Sequence, residues 1–96
     1  MEYHVMLVEG NRLMLEQLAH AIKEAPGFTL AARYQDPMDA LGQGVVFHPN
    51  LILLDIDQQS GTGILADFLR VFPNTAIICI GERWQSEVAS HVVQSG

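Results

Sequence analysis

Apolar residues along this chain come in four short runs: "HVMLV" (4–8), "FTLAARY" (28–34), "LILLDI" (51–56) and "TAIICI" (75–80). Each reads as a strand. The first, third and fourth are nearly continuous in Val, Ile and Leu instead of alternating with polar residues. That pattern predicts strands buried on both faces, as in a parallel sheet covered by helices.

Between the runs the apolar period changes to that of a helix. Leu15, Leu18, Ala19 and Ile22 fall at i, i+3, i+4 and i+7 within residues 11–25, and Pro26-Gly27 stops that helix. In "DPMDALGQGVV", Asp36 is placed to cap a second helix, with Pro37 at its first position and Asp39 three residues after the cap. Gly42 and Gly44 weaken this helix, so its far end is left open by the pattern. "GILADFLRVF" sets Ile64, Leu65, Phe68, Val71 and Phe72 on one face and ends at Pro73. Residues 84–95 set Val88, Ala89, Val92 and Val93 on a last helix. Strands alternating with helices at this spacing predict a βαβ repeat, a parallel sheet and right-handed crossovers.

Composition narrows what such a domain can do. The chain has 96 residues, 49% hydrophobic and 17% charged, which suits one small core-rich domain. A formal charge of -6 with five Lys and Arg argues against a nucleic-acid surface or an anionic membrane surface on this segment. No apolar run nears the roughly 18 residues of a membrane span. The start, "MEYHVMLV", has neither the basic region nor the long apolar stretch of a secretory leader. The one cysteine, Cys79, lies inside "AIICI" and reads as a buried core residue in a cytosolic setting.

The candidate chemistry sits where strands end. In open α/β sheets ligands collect at the carboxyl ends of strands, where the strand order reverses. For a flavodoxin-like order 2-1-3-4 that point lies between the first and third strands. The first runs into Glu9 and Gly10, the third into Asp55, Ile56 and Asp57. Glu9 and Asp55 should therefore share one crevice. Two carboxylates so placed repel unless a divalent cation, a proton or a pKa shift compensates. Mg2+ held by carboxylates and water is the common solution, and an aspartate there can attack a phosphoryl group.

These segments resemble the receiver domains of response regulators, nearest in flavour to those of NarL-type transcription regulators. "VEGNRLMLEQL" resembles the family's first strand and helix, and "HPNLILLDIDQQSGTG" the third-strand segment with its phosphoacceptor aspartate and a glycine eight residues on, here Asp55 and Gly63. "FPNTAIICIGE" resembles the fourth strand and "EVASHVVQSG" the fourth helix. The resemblance implies a doubly wound, flavodoxin-like α/β fold in which residues 1–96 form a single receiver-like domain. It also implies that Gly96 falls before the family's fifth strand and helix, which flank the fourth strand and pack beside the first helix. The chain would then be C-terminally truncated relative to the family, with β5 and α5 absent. A bare apolar edge and a partly uncovered sheet face would follow, and such surfaces recruit another chain. A homodimer or swapped assembly is the expectation.

The departures from the family bear on function. The acidic pair that follows the family's first strand is Glu9-Gly10 here, so the usual direct metal ligand has no side chain. The hydroxyl residue that closes the family's fourth strand and moves toward the phosphate is Gly81. The family lysine on the fifth strand has no counterpart, since the only lysine, Lys23, belongs to the first helix. Gln58-Gln59 replaces the common Met-Pro pair. The resemblance thus assigns Asp55 as phosphoacceptor and Glu9, Asp55 and the backbone carbonyl of Asp57 as Mg2+ ligands, with Gly81 as a degenerate switch position. Glu9 reads equally as a metal ligand through its longer arm and as a plain surface acid. Trp84, at the start of the last helix, reads as core or as partner surface. His4, His20, His48 and His91 are scattered with no ligand spacing and read as ordinary surface or half-buried residues.

Three functions compete. The first is an atypical receiver, not an enzyme, with impaired or absent phosphorylation because the supporting charges are missing. As the N-terminal domain of a cytoplasmic transcription regulator, it would act through protein contacts and dimerisation. Its partners would be a histidine kinase or other signalling protein, and DNA would be reached only through a separate effector domain. The second is a conventional phosphoaccepting receiver using Asp55 and Mg2+. The third takes Asp55-Ile-Asp57 as the D-x-D of a phosphatase of the haloacid-dehalogenase type. That reading needs a later lysine and a further acidic pair, and neither follows.

Overall fold

The computed structural model describes residues 2–55 and 62–80. The elements run β1 (Tyr3–Val8), α1 (Arg12–Glu24), β2 (Phe28–Tyr34), α2 (Pro37–Gln43), a 3-10 turn (Gly44–Phe47), β3 (Leu51–Asp55), α3 (Thr62–Val71) and β4 (Ala76–Ile80). All three β pairings are parallel and the sheet order is β2-β1-β3-β4. This is the doubly wound order read from the sequence. The helix expected over 84–95 lies outside the described residues.

Local chemistry sets the helix ends. The Asn11 side chain accepts from the Met14 N–H at 3.0 Å and caps α1, while Lys23 stands in its last turn where a cation suits the helix dipole. Gly27, at φ 83°, then takes the left-handed turn into β2. Asp36 caps α2 by accepting from the Met38 N–H at 2.9 Å, and Pro37 follows at the first helical position, as expected.

The open question about the end of α2 resolves at Gly44. The chain tightens there into the 3-10 turn, which lies directly on the sheet. A Cβ at Gly44 would stand 2.6 Å from Met6 Sδ, whereas one at Gly42 would meet nothing within 4 Å. The two glycines therefore differ in kind: Gly44 permits a close approach and Gly42 does not.

Strand alternation splits the core into two layers. Met6, Val8, Ile52, Leu54, Ile77 and Cys79 point to one face, where they pack with Ala40 of α2, with Ile64, Leu65 and Phe68 of α3, and with Phe72 just beyond it. The Phe68 and Phe72 rings stack with centroids 5.9 Å apart. Val5, Leu7 and Leu51 point to the other face, against Leu15, Ala19 and Ile22 of α1.

The last four residues of β1 and most of β3 are buried on both sides, as continuous apolar runs predict. β4 departs from the two-sided burial that its apolar run predicts, though not from the partly uncovered face expected from the resemblance. Ile77 and Cys79 are buried, but Ile78 between them is 45% exposed. α1 sits over β1 and β2, so on its face the outer strand lacks a cover among the described residues.

Candidate functional site

The sheet delivers two carboxylates to one place. Val8 pairs with Leu54 across β1 and β3, so the next residues along, Glu9 and Asp55, emerge side by side at the carboxyl ends of adjacent strands. Asp55 also pairs with Ile80 at the end of β4. Both acids are buried, Glu9 at 7% and Asp55 at 6% exposure. This corrects the reading of Glu9 as a plain surface acid. The register that buries Val8 carries the next residue into the crevice before the chain turns outward.

The loop from β1 to α1 is held at three points. The Glu9 N–H donates to the Tyr34 carbonyl at 3.0 Å, extending the β1–β2 ladder by one bond. Gln35 Nε2 donates to the Gly10 carbonyl at 3.3 Å. The Asn11 N–H donates to Glu9 Oε2 at 3.0 Å. Asn11 thus faces both ways: its N–H is held by the crevice carboxylate and its side chain caps α1. Among the described residues no buried side-chain N or O atom lacks a hydrogen-bond partner.

Sequence reasoning missed Asn11 and Gln35. The first carried a legible signal, an Asn immediately before an apolar helical stripe. Gln35 carried none, because its role depends on β2 ending beside β1.

The donor chemistry of the crevice suits a hard divalent cation. Two carboxylates plus water match what Mg2+ takes from proteins. Among the described residues no group of three or more His, Cys, Asp or Glu gathers for a metal, and these two side chains are what they bring to the crevice. Gly10 adds none. Lys23 is exposed in the last turn of α1, at the end of the sheet opposite Asp55. Asp57, Gly81 and Trp84 lie outside the described residues. His4, His20 and His48 are exposed on β1, α1 and after the 3-10 turn, and the site brings none of them in; His91 lies outside the described residues. Cys79 is buried, and burial pushes its thiol up to about 11, which keeps it protonated and unreactive at neutral pH.

Sequence comparison adds no relative: no family model and no curated protein matches the chain. Comparison of folds does. The isolated receiver domain of RcsB from Salmonella enterica serovar Typhimurium superimposes with a TM-score of 0.82 at 12% identity, over 99% of this chain and 72% of that one. The chain has the receiver fold. A LuxR-family two-component response regulator from Aurantimonas sp. SI85-9A1 gives a TM-score of 0.81 at 17% identity, over 100% of this chain and 70% of that one. The receiver domain of a response regulator, NarL, from Mycobacterium tuberculosis gives 0.77 at 18%, over 99% and 78%. At such identities the likeness speaks for the receiver architecture and leaves chemistry to the residues.

Proposed function

We propose that this chain is a receiver-like signalling domain of a two-component response regulator. It works as the N-terminal domain of a cytoplasmic transcription regulator, through protein contacts and self-association, with phosphorylation of Asp55 impaired. The observation that carries this reading is the composition of the crevice. It keeps a buried acceptor carboxylate and a neighbouring acid, while Gly10 offers no side chain and Lys23 stands at the opposite end of the sheet. Phosphoryl transfer depends on positioning and on neutralising the charge of the transferred group. An acceptor with one flanking acid, beside a glycine where the family has a second, supplies little of either.

Mg2+, when bound, would be held by Glu9, Asp55 and the carbonyl of residue 57, and would neutralise charge between acceptor and phosphoryl group. Glu9 and Asp55 would hold the cation, with β1 and β3 fixing where they stand. A histidine kinase or another signalling protein is the partner, and DNA is reached through a separate effector domain. The net charge of -6 suits a segment that does not itself touch nucleic acid. No helix among the described residues is long and apolar enough to cross a membrane.

Beryllofluoride or acetyl phosphate with Mg2+, followed by resonance shifts or mass, tests the reading. The expected result is weak or absent modification, equal in the native chain and in Asp55→Asn. Saturable modification abolished by Asp55→Asn would instead establish a conventional phosphoaccepting receiver. Self-association is checked by sedimentation at tens of micromolar, where a clean monomer would count against it.

A further inference from the structure

The loop geometry suggests where a signal from this crevice goes. A receiver that couples through a hydroxyl at the end of its fourth strand has a handle there, and Gly81 supplies none. The β1 side does have a handle. Glu9 faces the crevice from the end of β1, and its Oε2 accepts the Asn11 N–H at 3.0 Å. Asn11 then caps α1 through the Met14 N–H at 3.0 Å, and its carbonyl accepts the Leu15 N–H at 2.8 Å. One short chain of hydrogen bonds therefore joins a crevice carboxylate to the first turn of a helix.

We propose that a divalent cation entering the Glu9–Asp55 crevice is read out at the first turn of α1, through the hydrogen bond between Glu9 and Asn11. This rests on the reading of the crevice as a cation site.

Two effects act in the same direction. A cation on the Glu9 carboxylate draws electron density from the oxygen that Asn11 uses, which weakens that bond. It also cancels the negative charge that Glu9 places beside the helix N-terminus. The first turn of α1 has no acid of its own to take its place. The turn that loosens carries Leu13 and Met14, 69% and 44% exposed, so its order sets how two large apolar side chains are presented.

Residue-resolved amide exchange with Mg2+ alone as the probe tests this. Saturating Mg2+ should raise exchange at Asn11 and Met14 several-fold and leave Leu7 and Ile52 in the sheet unchanged. Glu9→Gln, which keeps an acceptor for Asn11 but gives up the charge, should abolish the response. Two failures are distinguishable. If Mg2+ shifts the resonances of Leu54 and Asp55 while exchange at Asn11 and Met14 stays fixed, the cation site stands and the coupling is wrong. If tens of millimolar Mg2+ changes nothing anywhere, the cation site is wrong and the coupling falls with it.

Discussion

Among the described residues, the face of the sheet under α2 and α3 is closed over β1, β3 and β4, whereas the face under α1 is closed over half its width. On the first, Met6, Ile52, Leu54, Leu65, Phe68 and Ile77 are all within 1% of full burial. On the second, α1 covers Val5, Leu7 and Leu51, and beyond it Leu53 is half-buried and Ile78 exposed. Leu18, Ile22, Ala25, Leu51, Leu53 and Ile78 line an apolar groove along this boundary. Two strands span about 10 Å, roughly one helix diameter, so the open strip is one helix wide. A right-handed crossover that reverses direction at β1 puts α1 on one face and α2 and α3 on the other. Among the described residues two helices thus lie on one face and one on the other, and stability should be distributed accordingly.

Truncation on the closed face should cost most. Phe68→Ala removes a fully buried ring that stacks on Phe72, and a loss of about 3–5 kcal/mol is expected. Leu53→Ala on the open face leaves a smaller void with solvent access and should cost about 1 kcal/mol. Urea unfolding of both variants measures the difference. Equal costs would mean that the α1 face is as tightly packed as the other.

The same contrast can be sharpened within one loop. Gly44→Ala drives a methyl toward the buried Met6 thioether and should destabilise by about 1–3 kcal/mol, because the closed face has no slack. Gly42→Ala meets open space in a helix and should stabilise by about 0.5 kcal/mol. Thermal midpoints moving in opposite directions would bear this out. Recovery of Gly44→Ala by Met6→Val would locate the clash.

These pairs also show what was legible beforehand. The strands, the α1 stripe and the Asp36-Pro37 start of α2 follow from period and capping chemistry, which act over a few residues. The Glu9–Asp55 crevice followed from topology alone, since a 2-1-3 order makes the ends of β1 and β3 neighbours. What could not be read was specific to packing. Gly42 and Gly44 look alike in sequence, and only the distance to Met6 separates them. By period alone the run "AIICI" reads as buried on both faces, and only the family resemblance pointed to a partly uncovered face, because burial depends on which helices cross above a strand. The engagement of Glu9 with Asn11 depended on a loop conformation that neither residue type dictates.

The smallest effect on stability should accompany the largest effect on assembly. Ile78 is 45% exposed on β4, so Ile78→Ser removes little buried area and should change the unfolding free energy by under about 0.5 kcal/mol. Under the proposed self-association, the same change puts a hydroxyl into an apolar contact. It should shift sedimentation toward monomer by about tenfold in the dissociation constant, which corresponds to about 1.4 kcal/mol. Glu16→Gln, on the opposite flank of α1 where the carboxylate pairs with Arg33 at 3.1 Å, is the matched control and should leave assembly unchanged. A shift in both variants would point to a general loss of fold. A shift in Ile78→Ser alone would place the contact on the half-open face, and a shift in neither would remove that face from the assembly.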